Sequence, residues 1–459
     1  RNPCVAAVAA APTSIIQLAA AAPHLRLISA YALLWCIRRG RLCPFLRSYL
    51  ALCAKFLRLI RTQNKMQGTA KIVLSLKACK NVCTVSRLPQ NVLLCRGLLT
   101  SRSQGQIEAV ATQVLEPGTA ALKKQPAPLE PSEWPYTEHT VKVHTCAQLY
   151  QDWRKWKPGY QNAPAEGIEV NLGYMHTGLD KPAAQREGCP TVLLLHGAPG
   201  SYRDFTQLVP FLDSHGATVI SPRWPDLRLS YQMGTFWHSA EEKTHLLTDF
   251  LKAINVSKVD LLVAHSSAIY PTLNVMTRPG MPQVNAVALL APAGHQLVRA
   301  IRPLPLMRAF AVHYTNPRYQ GFMRHLGIAI MKYTRNPIKP NIEDAIMSLQ
   351  TMIFSDYEEA GDKIKQVADS GVPLLIAFSE NDRAINPEVI FNMVDLIGTR
   401  NQDFWLYDAD GKLVRKGSTA GSKKVMLFKK GGHYLFRRHP EVINSAVLEL
   451  LQTARTASK

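Results

Sequence analysis

No aspartate or glutamate occurs before Glu108, although residues 1–107 hold sixteen lysines and arginines. The formal net charge of +21 therefore sits mostly in this head, and the remaining residues carry only +5. A body so nearly balanced excludes the broad basic face of a nucleic-acid binder. Cysteine is just as scarce in the body, where Cys146 and Cys189 stand alone while the other seven lie in the head. That distribution excludes a disulfide framework and fits a reducing or organellar compartment. There is no His-Glu-x-x-His and no close Cys pair with His at finger spacing, so zinc is not expected. No apolar run is built to span a bilayer: Leu27 to Ile37 is too short, and Val5 to Ala22 is broken by Pro, Thr, Ser and Gln. Internal repeats are absent, which excludes solenoids and propellers. What is abundant is apolar mass: 47% of the 459 residues are hydrophobic and 19% charged, enough for a sizeable core.

The first methionine is Met66, and residues 1–65 read as an upstream stretch that a natural start at Met66 would omit. From Met66 to Gln106 the text is basic, acid-free and dotted with Ser and Thr, which is transit-peptide composition; the alternative is a disordered basic tail. The expected location is mitochondrial or cytoplasmic. Five prolines between Pro117 and Pro135 mark residues 108–135 as a linker, because proline removes backbone donors and favours extended chain. The body is then residues 136–459.

In the body, short β-branched or Leu-rich runs alternate with amphipathic helical stretches, the pattern of an α/β fold with a mostly parallel central sheet covered by helices on both faces. The expected strands are Ile168 to Tyr174, Thr191 to Leu195, Ala217 to Ser221, Val259 to Val263, Val284 to Leu290, Leu374 to Phe378 and Val425 to Phe428. Ser239 and Glu242 form a capping box ahead of Leu246, Leu247, Phe250, Leu251 and Ile254 at helical spacing. After Leu290 about eighty residues of mainly helical pattern precede the next strand, too many for an ordinary connection. An inserted helical cap, about 293–366, is expected there.

Four segments carry chemistry. Ala264-His265-Ser266-Ser267-Ala268 follows a buried strand, and small residues two positions either side of Ser266 permit the tight strand-to-helix turn that exposes a nucleophilic hydroxyl. Ser267 would instead be flanked by His265 and Ile269, so Ser266 is the candidate; a plain Ser-Ser turn is the bland alternative, and Pro271 is expected to disturb the start of the following helix. The others are His196-Gly197-Ala198-Pro199-Gly200-Ser201 after a strand, Ser379-Glu380-Asn381-Asp382 after a strand, and Gly431-Gly432-His433 after the last strand.

In this order and spacing the four segments resemble the α/β-hydrolase superfamily, in particular poorly characterised animal members with a Ser-Asp-His triad. The resemblance covers about residues 136–459. It implies that Ser266 is the nucleophile, His433 the general base and Asp382 the acid that orients it, with Glu380 as the fallback. It also implies an oxyanion hole from the backbone N–H groups of Ala198 and Ser267, and a structural role for His196. His439, just before Pro440 and Glu441, is expected to cap or solvate the last helix. Where the family often reads Asp-x-Pro-Gly-x-Gly-x-Ser, this chain has Arg223-Trp224-Pro225-Asp226-Leu227-Arg228-Leu229-Ser230, so an unusual pocket entrance is expected.

The expected activity is a serine hydrolase acting on a small-molecule ester or thioester through an acyl-enzyme, with no cofactor. Serine at the nucleophile position argues against the epoxide hydrolases and haloalkane dehalogenases, which use aspartate there. The competing reading is a catalytically weak binding or scaffold protein that keeps the fold. Arg299, Arg302, Arg308, Arg318, Arg324, Lys332, Arg335 and Lys339 precede the next acid, Glu343. Such a cap would make peripheral contact with an anionic membrane or hold an acyl substrate with an acidic head; the alternative is a solvated face over an apolar pocket. Asp408-Ala409-Asp410-Gly411 resembles part of a calcium loop but lacks the remaining ligands, so a hairpin turn is expected.

Overall fold

A computed structural model describes residues 134–459 apart from 180, 183–187, 299–300, 302–303, 317, 326–327, 329–341, 419–421 and 458–459. The expectations for the head, for the linker before Trp134 and for Arg299, Arg302, Lys332, Arg335 and Lys339 lie outside the described residues.

The chain runs β1 (Glu138–Thr145), α1 (Ala147–Trp156), β2 (Ile168–His176), β3 (Thr191–Leu195), α2 (Leu208–Ser214), β4 (Thr218–Pro222), α3 (Leu227–Met233) and α4 (Ala240–Ala253). Next come β5 (Lys258–Val259), β6 (Leu261–His265), α5 (Ile269–Thr277), β7 (Gln283–Val284) and β8 (Val287–Leu290). Helices α6 (Leu304–Thr315), α7 (Ile342–Ile353) and α8 (Tyr357–Asp369) precede β9 (Leu374–Ser379). The chain finishes with α9 (Pro387–Leu396), β10 (Trp405–Tyr407), β11 (Leu413–Arg415), β12 (Lys423–Phe428), α10 (Leu435–Arg438) and α11 (Pro440–Ala457).

Ten strands form one sheet in the order β1-β2-β4-β3-β6-β8-β9-β12-β10-β11. The strands from β4 to β10 pair in parallel, whereas β1, β2 and β11 join antiparallel. This division follows from the side chains. Leu261 to His265 are buried throughout, as a parallel strand covered on both faces requires, while β1 alternates exposed and more sheltered positions as an edge strand with one wet face. β1 was not among the expected strands because its sequence, EHTVKVHT, is largely polar.

Two expected strands are each divided. Asp260 interrupts the run from Val259 to Val263: its carboxylate accepts the Thr191 N–H at 2.8 Å and Asn285 Nδ2 at 3.1 Å. β5 and β7 thereby form a separate small parallel ladder, and the expected Val284 to Leu290 strand splits in the same way.

One face of the sheet is closed by α2 and α11, where Val192, Leu194, Val263, Phe205, Phe211, Phe436, Val447 and Leu451 share a core. Each such fully buried Leu or Phe contributes about 1.5–3 kcal/mol. The other face is covered by α4, α5 and α8, with α4 against α5 and β1, and α8 against α5 and α9. Helix α8, which begins inside the range 293–366 expected for a cap, buries Ala360, Ile364, Val367 and Ala368 and leads directly into β9. The capping box forms: Ser239 Oγ accepts Glu242 N–H at 3.2 Å, and Glu242 Oε2 accepts Ser239 N–H at 3.1 Å. Pro271 disturbs nothing, because it lies in the first turn of α5 where its missing donor has no intrahelical task. Among the described residues no helix is long and apolar enough to cross a membrane.

Candidate active site

The C-terminal ends of β3, β6, β9 and β12 bring the four chemistry-bearing segments together. Ser266 leaves β6 with φ 56°, a left-handed conformation that costs a side-chain-bearing residue roughly 1–3 kcal/mol and turns its hydroxyl out of the strand. The small neighbours have a visible purpose, since Ala264 and Ala268 are both buried in the turn. On the β3 side, a Cβ on Gly197 would lie 2.8 Å from Ser266 Cβ, so only glycine lets this loop approach the elbow.

His433 connects the other two segments. Its Nε2 lies 2.9 Å from Ser266 Oγ and its Nδ1 2.8 Å from Asp382 Oδ2. With neutral imidazole, Nδ1–H donates to the carboxylate and Nε2 accepts the serine O–H. Asp382 is fixed by its second oxygen, Oδ1, which accepts the N–H groups of Ala384 at 2.7 Å and Ile385 at 3.1 Å. Glu380, the fallback acid, is exposed and does not reach His433.

Three side chains not anticipated from sequence hold the His433 loop. Asn381 Oδ1 accepts the N–H groups of Gly431 and Gly432, each at 2.9 Å. Ser379 Oγ donates to the Gly432 carbonyl at 2.8 Å. His265 Nε2 donates to the His433 carbonyl at 3.0 Å, and burial pushes the His265 imidazole well below its ordinary pKa, so it stays neutral. Gly432 has φ 65°, which reverses the chain just before His433.

His196 is fully buried. Its Nε2 accepts the Trp224 N–H at 3.1 Å, its Nδ1 donates to the Gly197 carbonyl at 2.7 Å, and Trp224 Nε1 donates to the His196 carbonyl at 2.9 Å. Burial pushes its pKa down to about 3. The unusual Arg223-Trp224 segment therefore grips the 196–201 loop, while Asp226 caps α3 by accepting the Arg228 N–H at 2.9 Å. Farther along that loop, Arg437 donates to Asp204 at 2.7 Å and ties it to α10; burial nevertheless raises the Asp204 carboxyl above its usual range.

Ala198 follows the glycine that meets Ser266, and Ser267 is the residue after the elbow; both are buried. His439 corrects an expectation. It is buried, stacks on Phe428 at 5.0 Å and places Nε2 2.5 Å from the Lys430 carbonyl, so its ring braces the end of β12 and is not solvated. Only its backbone serves α11, accepting the Ile443 N–H at 3.1 Å. In the Asp408 to Gly411 turn, Asp408 Oδ1 accepts the N–H groups of Asp410 and Lys412, both at 2.9 Å, closing the β10–β11 hairpin. Among the described residues no group of three or more His, Cys, Asp or Glu side chains is arranged to hold a metal ion.

A family model described as "Alpha/beta hydrolase of unknown function (DUF1057)" matches residues 168–452. Among curated proteins none matches the chain in sequence. Solved structures of similar fold include a bromoperoxidase from Bacillus anthracis, 15% identical, covering 68% of this chain and 100% of its own, with TM-score 0.42. The haloalkane dehalogenase DbeA from Bradyrhizobium elkani USDA94 is 16% identical over 70% of this chain and 99% of its own, with TM-score 0.43. A thermophilic esterase from Thermogutta terrifontis is 16% identical over 69% of this chain and 99% of its own, with TM-score 0.42.

Proposed function

Because the chain belongs to the α/β-hydrolase family whose model spans residues 168–452, we propose that it is a serine hydrolase cleaving an ester or thioester through an acyl-enzyme. The observation that carries this reading is the unbroken hydrogen-bonded series from Ser266 Oγ through His433 to Asp382, at 2.9 and 2.8 Å, with the serine on a left-handed elbow.

In the forward step Ser266 Oγ attacks the acyl carbon while His433 Nε2 takes its proton. Asp382 keeps Nδ1–H pointed at itself, which fixes the tautomer that accepts at Nε2 and stabilises the imidazolium as it forms. The Ala198 and Ser267 amides face the carbonyl oxygen as it becomes an oxyanion, where donors already in place are worth about 2.7–4 kcal/mol each. The tetrahedral species collapses, the alcohol or thiol leaves with the proton from His433, and water repeats the sequence to release the acid and free serine. No cofactor enters these steps.

The test is labelling of the full chain by a fluorophosphonate probe, together with a panel of esters and thioesters. Covalent labelling and turnover are expected. An intact, folded chain that neither reacts with the probe nor turns over any panel member would leave the scaffold reading in its place.

A further inference from the structure

Lys243 is a buried amine that the hydrolytic steps leave unused. It is 2% exposed, in the first turn of α4, where the N-terminal end of the helix dipole opposes a positive charge. Among the described residues no carboxylate pairs with it. Its sequence neighbour Glu242 is committed elsewhere, to Tyr150 at 3.1 Å, Tyr160 at 2.7 Å and Ser239 at 2.8 Å. Lys243 Nζ donates to one neutral group, Thr351 Oγ1 on α7, at 3.0 Å, and lies 5.3 Å from the Trp224 ring. An ammonium in such a place carries a desolvation cost of several kcal/mol that one hydroxyl and one ring do not offset.

Its position relates it to the reacting serine. Trp224 is the residue that grips His196, their rings 6.1 Å apart, and the next residue, Gly197, meets Ser266. Helix α7, from the stretch between β8 and β9, reaches the lysine through Thr351. Resting on the hydrolase reading above, we propose that Lys243 is the anchor of an acyl-group subsite and that the substrate is an ester or thioester whose acyl chain ends in a carboxylate. Among the described residues Thr351 takes one N–H of the protonated lysine, and the others are what we propose the carboxylate meets. The nearby histidines His196 and His238 are held neutral by burial, which leaves the lysine as the group there that takes up a proton to meet an incoming anion. Burial lowers the Lys243 pKa to about 7, and an anion beside it would restore the proton.

The test compares p-nitrophenyl valerate with mono-p-nitrophenyl glutarate, in which a carboxylate replaces the terminal methyl, and adds the succinate and adipate half-esters to vary reach. The full chain is expected to prefer a half-ester in kcat/KM. In Lys243→Met the ratio of half-ester to neutral ester should fall by at least about 10-fold, and Lys243→Arg should keep most of it. An equal ratio in wild type and Lys243→Met overturns the proposal. If no ester turns over, the hydrolase reading fails by itself and binding decides: glutarate should raise the thermal midpoint of wild type and Lys243→Arg more than that of Lys243→Met. Equal shifts, or none, overturn the subsite.

Discussion

The elbow around Ser266 and the surroundings of Lys243 are both buried and polar, yet they are finished to different degrees. At the elbow, each ring nitrogen of His433 and each carboxylate oxygen of Asp382 has a partner, and the carbonyl of His433 has one too. Around Lys243 a buried amine meets one hydroxyl and the face of an indole, while the neighbouring Glu242 carboxylate is hydrogen-bonded to Tyr150, Tyr160 and Ser239. Partners on both ring nitrogens of His433 and both oxygens of Asp382 lower the cost of burial and fix geometry, which is what proton transfer at a single atom needs. A buried amine without an ion-pair partner among the described residues holds its binding capacity open. The contrast separates the place where we propose that bonds change from the place that we propose selects the substrate.

The sharpest way to break that division is to remove the hydroxyl. Ser266→Ala should abolish probe labelling and lower turnover by about 10⁶-fold, since a triad acts as a unit. The thermal midpoint should move little, because one hydroxyl is deleted and Ala tolerates the site about as Ser does. Labelling that survives Ser266→Ala and disappears in Ser267→Ala would assign the nucleophile to the wrong serine. Next in size, Asp382→Asn should reduce kcat about 10⁴-fold by favouring the wrong His433 tautomer. Glu380→Gln should stay within about twofold, since Glu380 is exposed and makes no contact with the imidazole. Reversed magnitudes would hand the acid role to Glu380.

Much of the elbow was legible because its requirements are local. Central parallel strands need continuous apolar runs, a nucleophile turn needs small flanking residues, and Gly432 stands where the backbone reverses; each rule acts within a few positions of sequence. The clamp on the His433 loop was not legible. Asn381 and His265 act on residues about 50 and 168 positions away, and nothing adjacent to them announces the partner. His439 was legible in part: it stands just before α11 and its carbonyl accepts the Ile443 N–H, but its side chain is buried against Phe428 and not solvated. Lys243 sits in the stretch Glu241-Glu242-Lys243-Thr244-His245, which reads as a solvated first turn. It is buried instead, and its hydrogen-bond partner Thr351 on α7 lies 108 residues farther on.

The clamp itself supplies the third prediction. Asn381→Ala leaves two glycine amides without their acceptor and loosens the loop that aims His433, and a displacement near 1 Å costs about 10²-fold in such reactions. The expected result is a 10- to 100-fold fall in kcat and in probe-labelling rate, with KM nearly constant. Asn381→Asp keeps an accepting oxygen and should recover most of the loss. A fall in KM-linked binding with kcat preserved would mean that Asn381 shapes the pocket and not the base.

The smallest expected effect concerns stability and tests the other half of the contrast. Burial depresses the Lys243 pKa from its ordinary 10.5 to about 7 in the folded chain. Between these values the unfolded chain binds a proton that the folded chain does not, so this group makes stability rise with pH across that window. The contribution is fully present above about 10.5 and is lost as pH falls to about 7. Its closest buried charge, Glu242, works against the shift and keeps it from going lower. Lys243→Met removes the titration altogether while filling the same space. Chemical denaturation of both proteins at pH 7.5 and 9.5 should show the wild type gaining on Lys243→Met by about 1–2 kcal/mol, within the limit of about 1.4 kcal/mol per pH unit for one proton. Subtracting the variant cancels the titration of all groups common to both. Parallel pH profiles would mean that Lys243 keeps its proton in the folded chain at pH 9.5, and the ammonium would then have to be already compensated within the protein, leaving no vacant charge for a substrate carboxylate to meet.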